Sequence, residues 1–174
     1  MKVGIVLEGG GMRGLYTSGV LDYLLDQDIM ADYVIGVSAG ACNGVSYVSK
    51  QRGRNFRVNT GYLNDKRYLS LNNFIKTKSL FGMDFIFNQI PHQLDLFDYD
   101  TFLASSCEFK VGVTDALTGQ PVYFDKTHLN YDSTIIKASS SIPVFSPIVP
   151  YQEGEYLDGG TSDSIPVKQA LKDG

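Results

Sequence analysis

The pentapeptide Gly36-Val37-Ser38-Ala39-Gly40 has the Gly-x-Ser-x-Gly spacing of a nucleophilic serine. A serine held on a sharp strand-to-helix turn sits in a strained backbone, and only small residues two before and two after it avoid a clash. Gly36 and Gly40 fill those places. Upstream, Gly9-Gly10-Gly11-Met12-Arg13-Gly14 follows an apolar run and precedes a helix-like stretch. Successive backbone N–H groups in such a glycine turn make an anion pocket, which serves an oxyanion as well as a phosphate. Gly9, Gly11 and Gly14 also satisfy the dinucleotide fingerprint, but that reading fails downstream. The acid it wants at the end of the second strand is missing, because Asp32 lies before that strand and Ser38 occupies its end. The carboxylate best placed to activate the serine is Asp158, which follows a strand-like run and precedes Gly159-Gly160. With an ordinary pKa of about 3.9 it is a weak base at neutral pH, so this role requires a desolvated pocket. Taken by itself, Asp-Gly-Gly is better explained as a plain turn. Asp115 is a rival acid, beside the turn signal Thr118-Gly119. His92 and His128 both precede Asp158, against the Ser, acid, His order of a hydrolase triad on this kind of sheet.

These residues need elements that bring them together. Lys2 to Leu7 reads as a buried strand, and Gly14 to Asp28 as a helix with Leu15, Val20, Leu21, Leu24 and Leu25 as its apolar stripe. Tyr33 to Val37 is the second strand and Ala39 to about Lys50 the second helix. This alternation predicts a parallel sheet covered on both faces. Consecutive parallel strands lie close, so the glycine loop after the first and Ser38 after the second should share one edge of the sheet. Arg52 to about Leu103 is less regular and reads as short helices and loops. Within it Leu80, Phe81, Met83, Phe85, Ile86, Phe87 and Ile90 either line an acyl channel, touch a bilayer or pack a core of their own. Phe109 to Thr114, Pro121 to Phe124 and Tyr151 to Leu157 read as strands, and Pro166 to Leu171 as a last helix. An alternating fold predicts one more strand there, so residues 1–174 read as a single domain that stops short of its closing elements.

A chain of 174 residues, 43% of them hydrophobic, suffices for one domain with a sizeable core. The formal net charge of −4 hides an asymmetry. Lys50 to Lys78 holds eight basic residues and one acid, a local charge of +7 that leaves −11 for the remainder. Such a run is either an ordinary solvated face or a surface for anionic lipid or another polyanion. Cys42 and Cys107 have no metal-ligand spacing and read as free thiols in a reducing compartment. Met1 to Leu7 lacks the basic leader, long apolar stretch and cleavage site of a signal peptide, so the cytoplasm is the expected location, with peripheral membrane contact through 50–78.

Taken in order, Gly9 to Gly14, Gly36 to Gly40 and Asp158-Gly159-Gly160 resemble the three signature blocks of the patatin-like phospholipases. Ala138-Ser139-Ser140-Ser141-Ile142-Pro143-Val144-Phe145-Ser146-Pro147 resembles a fourth. The match runs almost from end to end. Ala41 stands where many relatives carry His, and the closing strands of the family are unaccounted for. The resemblance implies a three-layer α/β/α fold with a mostly parallel central sheet. It implies a Ser38–Asp158 dyad hydrolysing carboxylic esters of lipids without metal or cofactor, and no nucleic-acid partner. It also implies oxyanion donors in the backbone of Gly10, Gly11 and Met12, with Arg13 supporting the loop or meeting an acidic head group. Two other classes share the features: an acyltransferase using the same acyl-serine, and a catalytically silent lipid-binding module.

Overall fold

The computed structural model describes residues 2–174. Its centre is a six-stranded sheet built from β1 (Gly4–Leu7), β2 (Tyr33–Val37), β3 (Glu108–Asp115), β4 (Pro121–Asp125), β5 (Val149–Tyr151) and β6 (Gly154–Asp158). β1, β2 and β3 pair in parallel, β4 and β6 each pair antiparallel to β3, and β5 pairs antiparallel to β6. The sheet is therefore mostly parallel in sense, with β1, β2, β3 and β5 pointing one way.

Helices cover both faces. β2 is buried along its whole length, as expected of a strand sandwiched between layers. On one face α2 (Ala39–Val48) lies so close that a Cβ on Gly44 would meet Phe109, Leu7 and Val34. α1 (Gly14–Asp26) packs beside α2, and α6 (Thr134–Ser139) covers β3, β5 and β6. On the other face Tyr33 Oη and Lys110 Nζ both donate to Asp173 at the end of α7 (Val167–Lys172), each at 2.7 Å. Strand alternation explains this division, because Tyr33 and Val34 point to opposite sides. The larger core joins Val34, Phe109, Val111 and Val113 to Val45 and Val48 of α2 and Ile135 and Ala138 of α6.

Between α2 and β3 the chain makes α3 (Arg54–Gly61), α4 (Leu71–Thr77), a π-helical stretch over Phe85–Leu94 and α5 (Tyr99–Ala104). The π-helix contains Pro91, whose missing N–H would break an α-helix ladder. Phe85 and Ile90 join Tyr68 in a small separate core. Among the described residues no helix is long and apolar enough to cross a membrane.

Two expectations are corrected, and one element lies where the sequence analysis placed none. Val20 is 44% exposed, so the buried side of α1 runs through Ser18 and Leu21 with Leu24 and Leu25 against the core. Tyr151 to Leu157 is not one strand but the β5–β6 hairpin, turning at Gln152 and Glu153. The short helix α6 was not foreseen. Its six residues are too few to display a helical period.

Candidate active site

Ser38 follows β2 directly and precedes α2, with φ 53° and ψ −124°. A positive φ on a non-glycine residue is strained backbone, sustained here by the packing around it. The flanking glycines are sterically required. A Cβ on Gly36 would fall 2.7 Å from the Ala41 nitrogen, and one on Gly40 only 2.4 Å from the Leu7 carbonyl oxygen. The elbow is therefore pressed against the end of β1, from which the glycine loop departs.

Strand register brings Asp158 to Ser38. Val113 and Thr114 pair with both β4 and β6, so those two strands occupy opposite edges of β3. β6 consequently shares an edge with β2. Val37 sits opposite Gly112, and the next place along that edge, opposite Val113, is taken by Asp158 arriving from the other direction. β2 and β6 thus meet head to head, and Ser38 Oγ donates to Asp158 Oδ2 at 2.7 Å.

Asp158 is 6% exposed. Burial pushes its carboxyl pKa up, partly offset by the hydrogen bonds from Ser38 and from the Gly160 N–H. The second oxygen, Oδ1, accepts that N–H at 2.8 Å. Asp158 is thus a turn residue and a partner of the serine at once, because its two oxygens serve different tasks. Its backbone is fixed as well: its N–H donates to the Ser141 carbonyl at 2.9 Å and its carbonyl accepts from Thr114 Oγ1 at 2.8 Å. The rival Asp115 spends its carboxylate on the N–H groups of Leu117 and Thr118 and on the Thr118 hydroxyl, so the turn accounts for it.

Two residues that hold the site escaped notice as contributors. Ser139, fully buried on α6, accepts the Ser38 N–H at 2.8 Å and donates to the Gly112 carbonyl at 2.7 Å. Its hydroxyl bridges the gap where β2 turns away from β3. Asn43, on α2, donates from Nδ2 to the Gly14 carbonyl at 2.9 Å, tying the glycine loop to the serine helix. The only sequence signal for Ser139 was its place in the Ala138 to Pro147 block.

The glycine loop closes a 3₁₀ turn over Gly11–Arg13, with Gly11 at φ 55° and the Arg13 N–H donating to the Gly10 carbonyl at 3.2 Å. The first amides of such a turn have no partner inside it. Gly11 and Met12 line a cavity of about 120 Å³ together with Ser38, Ala39 and Asn43, whereas Gly10 stands one residue outside its lining. Arg13 is exposed and its guanidinium folds back over Gly10. Phe81, Met83, Ile86 and Phe87 line the same cavity, while Phe85 and Ile90 pack the small core, so the apolar run divides between both tasks.

Neither histidine is hydrogen-bonded to the pair. His92 Nδ1 contacts the Asn88 carbonyl at 2.8 Å and its ring stacks on Tyr99. His128 Nδ1 contacts Tyr151 Oη at 3.0 Å against Phe124. Cys42 and Cys107 are free thiols. Among the described residues no three His, Cys, Asp or Glu side chains converge on a metal-holding group.

The basic segment proves heterogeneous. Arg52 pairs with Asp26, Arg54 and Arg57 with Asp95, and Arg67 with Asp65. Arg54 is 7% exposed and faces no solvent surface. Lys50, Lys66, Lys76 and Lys78 are exposed. Near the last two, α4 presents Leu71 at 76% and Ile75 at 74% exposure.

The profile of the patatin-like phospholipase family matches residues 5–171. The chain is 34% identical to the Escherichia coli (strain K12) protein YjjU over 99% of its own length and 49% of that protein. It is 26% identical to lysophospholipase nte1 of Aspergillus terreus, over 95% of this chain and 11% of the relative. It thus spans half or less of these relatives. Among solved structures, VipD from Legionella pneumophila superposes with a TM-score of 0.63 at 14% identity, covering 95% of this chain and 47% of that one.

Proposed function

The chain belongs to the patatin-like phospholipase family, and on that premise we propose that it hydrolyses carboxylic esters of lipids through a Ser38–Asp158 dyad. The observation that carries this reading is the 2.7 Å hydrogen bond from Ser38 Oγ to a buried carboxylate. Asp158 takes the hydroxyl proton as Oγ attacks the ester carbonyl, and burial, by raising its proton affinity, makes it a better base than a solvated aspartate. The oxyanion that forms is met by backbone amides of Gly10, Gly11 and Met12, steadied by Arg13. The N-terminus of α2 behind Ser38 adds about 0.3–1 kcal/mol of favourable dipole. The alcohol leaves with the proton; water, deprotonated by Asp158, then attacks the acyl-serine, and the acid is freed as Asp158 returns the proton to Ser38 Oγ.

A silent lipid-binding module is disfavoured on energetic grounds. A strained serine backbone and a desolvated carboxylate both cost stability and serve no purpose in passive binding. An acyltransferase would use the same acyl-serine and differ only in its acceptor, so adding a thiol or alcohol acceptor to the assay separates the two. Contact with an anionic membrane is proposed through Lys66, Lys76 and Lys78 with the apolar side chains of α4, in place of the paired arginines.

The direct test is hydrolysis of p-nitrophenyl esters of graded chain length by the wild type and Ser38→Ala, with fluorophosphonate labelling. We expect labelling at Ser38 and loss of turnover in a folded variant. Label on another residue, or wild-type turnover in Ser38→Ala, removes the proposed nucleophile.

A further inference from the structure

Next to the Ser38 cavity lies a second chamber of about 100 Å³, and the two adjoin through Cys42, Asn59, Tyr68, Ile86 and Phe87. Its other walls are largely apolar, among them Val45, Phe97, Phe102 and Ile136, yet Arg54 is one of them. Burying a cation in such surroundings is costly unless it is paired and hydrogen-bonded.

The pairing of Arg54 is incomplete. One terminal nitrogen donates to the Asp95 carbonyl at 2.9 Å. Its buried Nε lies 3.5 Å from Asp95 Oδ1 without forming a hydrogen bond, and it has no other partner among the described residues. The carboxylate is already engaged, because Arg57 Nε donates to Asp95 Oδ2 at 2.8 Å and an Arg57 terminal nitrogen to Oδ1 at 3.1 Å. Two guanidiniums therefore share one carboxylate, and the cluster keeps one surplus positive charge. The Phe97 ring, 5.2 Å from Arg54 Cζ, offsets part of it. The other acid bordering the chamber, Asp132, is exposed and accepts from the Thr134 N–H and hydroxyl.

We infer that this chamber binds the carboxylate at the end of an apolar chain, with the Arg54 guanidinium as its counter-charge. The apolar walls take the chain and the surplus charge matches a monoanion. A dianion such as a phosphate would bring an uncompensated charge into the same space. The inference rests on the reading that the adjoining Ser38 cavity receives an acyl ester. The carboxylate has two possible sources, the far end of an ω-carboxylated acyl group undergoing hydrolysis or a free fatty acid entering head first.

The test compares p-nitrophenyl esters of simple fatty acids with p-nitrophenyl monoesters of dicarboxylic acids of matched length, and measures inhibition by a fatty acid against the alcohol of the same length. Charge-assisted hydrogen bonding of this kind predicts a preference of about tenfold in kcat/KM for the carboxylated ester, or a like preference for the acid as competitive inhibitor. The first result assigns the site to substrate, the second to free acid. Arg54→Met should abolish the preference and Arg54→Lys restore part of it. Arg57→Met, a change at an exposed residue outside the chamber lining, should also reduce it by releasing Asp95 to neutralise Arg54. That effect is not expected if Arg54 merely clamps α3, and it remains measurable if Arg54→Met does not fold. Hydrolysis of simple esters with neither preference overturns the chamber assignment and leaves the dyad standing. If no ester is hydrolysed, the dyad reading fails, and calorimetric titration of the fatty acid and the alcohol still decides the chamber. Equal binding of the two overturns it.

Discussion

Replacing Ser139 with alanine tests whether the elbow is held by the hydroxyl bridge between β2 and β3. The substitution removes one oxygen from a fully buried site and creates almost no cavity, so packing loss is small. What remains is the Ser38 N–H and the Gly112 carbonyl, both of which lose the partner they have at 2.8 and 2.7 Å. A buried polar group left unpaired costs about 1–3 kcal/mol, so the two together should lower stability by about 2–6 kcal/mol. Against a typical domain stability of about 5–15 kcal/mol the variant should still fold. Urea denaturation with an unchanged m-value is the stability assay. Relaxation of the freed amide displaces Ser38 Oγ from Asp158, and misplacement of that kind lowers kcat about 10- to 100-fold with less effect on KM. Ser140→Ala serves as the control for stability, since its hydroxyl makes only a 3.6 Å contact with Cys42 Sγ. A Ser139→Ala protein within about 0.5 kcal/mol of the wild type and with full kcat would show that the bridge does not position the nucleophile.

Asp158→Asn should lose most esterase activity and yet melt at a higher temperature near neutral pH, because it removes a buried charge while an amide can keep both hydrogen bonds; a lower melting temperature would contradict this. Because the folded-state pKa of Asp158 is raised, its contribution to stability is fully present below the unfolded value and is lost as pH rises through the folded one. Wild-type kcat/KM should rise with pH through that same raised value, and a limb at the ordinary aspartate position would count against desolvation. Gly40→Ala should cost about 3 kcal/mol or more, because its Cβ would meet backbone oxygens of Leu7 and Glu8 at 2.4 and 2.6 Å, while Gly19→Ala on α1, with open space around it, should stabilise by about 0.5–1 kcal/mol; urea titration of both is the check. Reversing Lys66, Lys76 and Lys78 to Glu should weaken co-sedimentation with anionic vesicles by roughly 1 kcal/mol per lysine near the surface, leaving soluble-ester turnover intact. Binding indifferent to the reversal and to salt would make them an ordinary solvated face.

The parts of the site that could be read in advance are those where local sterics and sequence coincide. Gly36 and Gly40 can be read as elbow glycines because only backbone fits where their side chains would be, and β2 because its burial on both faces leaves an unbroken apolar run. Relations across the sheet could not be read in this way. That β6 takes the remaining edge of β3 depends on pairing between distant strands, and no local period reports it. Ser139 looks like any small residue of a short helix until the strand it bridges is in place. The basic segment misled for a related reason: Asp26 and Asp95, which pair with Arg52, Arg54 and Arg57 and hold them in ion pairs, lie outside it in sequence.

The head-to-head meeting of β2 and β6 has a consequence in time. The proposed nucleophile, Ser38, and its proposed base, Asp158, are 120 positions apart, and a chain made from its N-terminus presents the serine long before the aspartate exists. β1, β2 and the elbow can associate early, but a nascent chain, or one nicked before β6, carries a serine with nothing to take its proton. Esterase activity should therefore recover during refolding with the slow long-range strand pairing and lag behind the helical circular dichroism signal. The proposed dyad is in this sense a late checkpoint, silent until β6 has been seated.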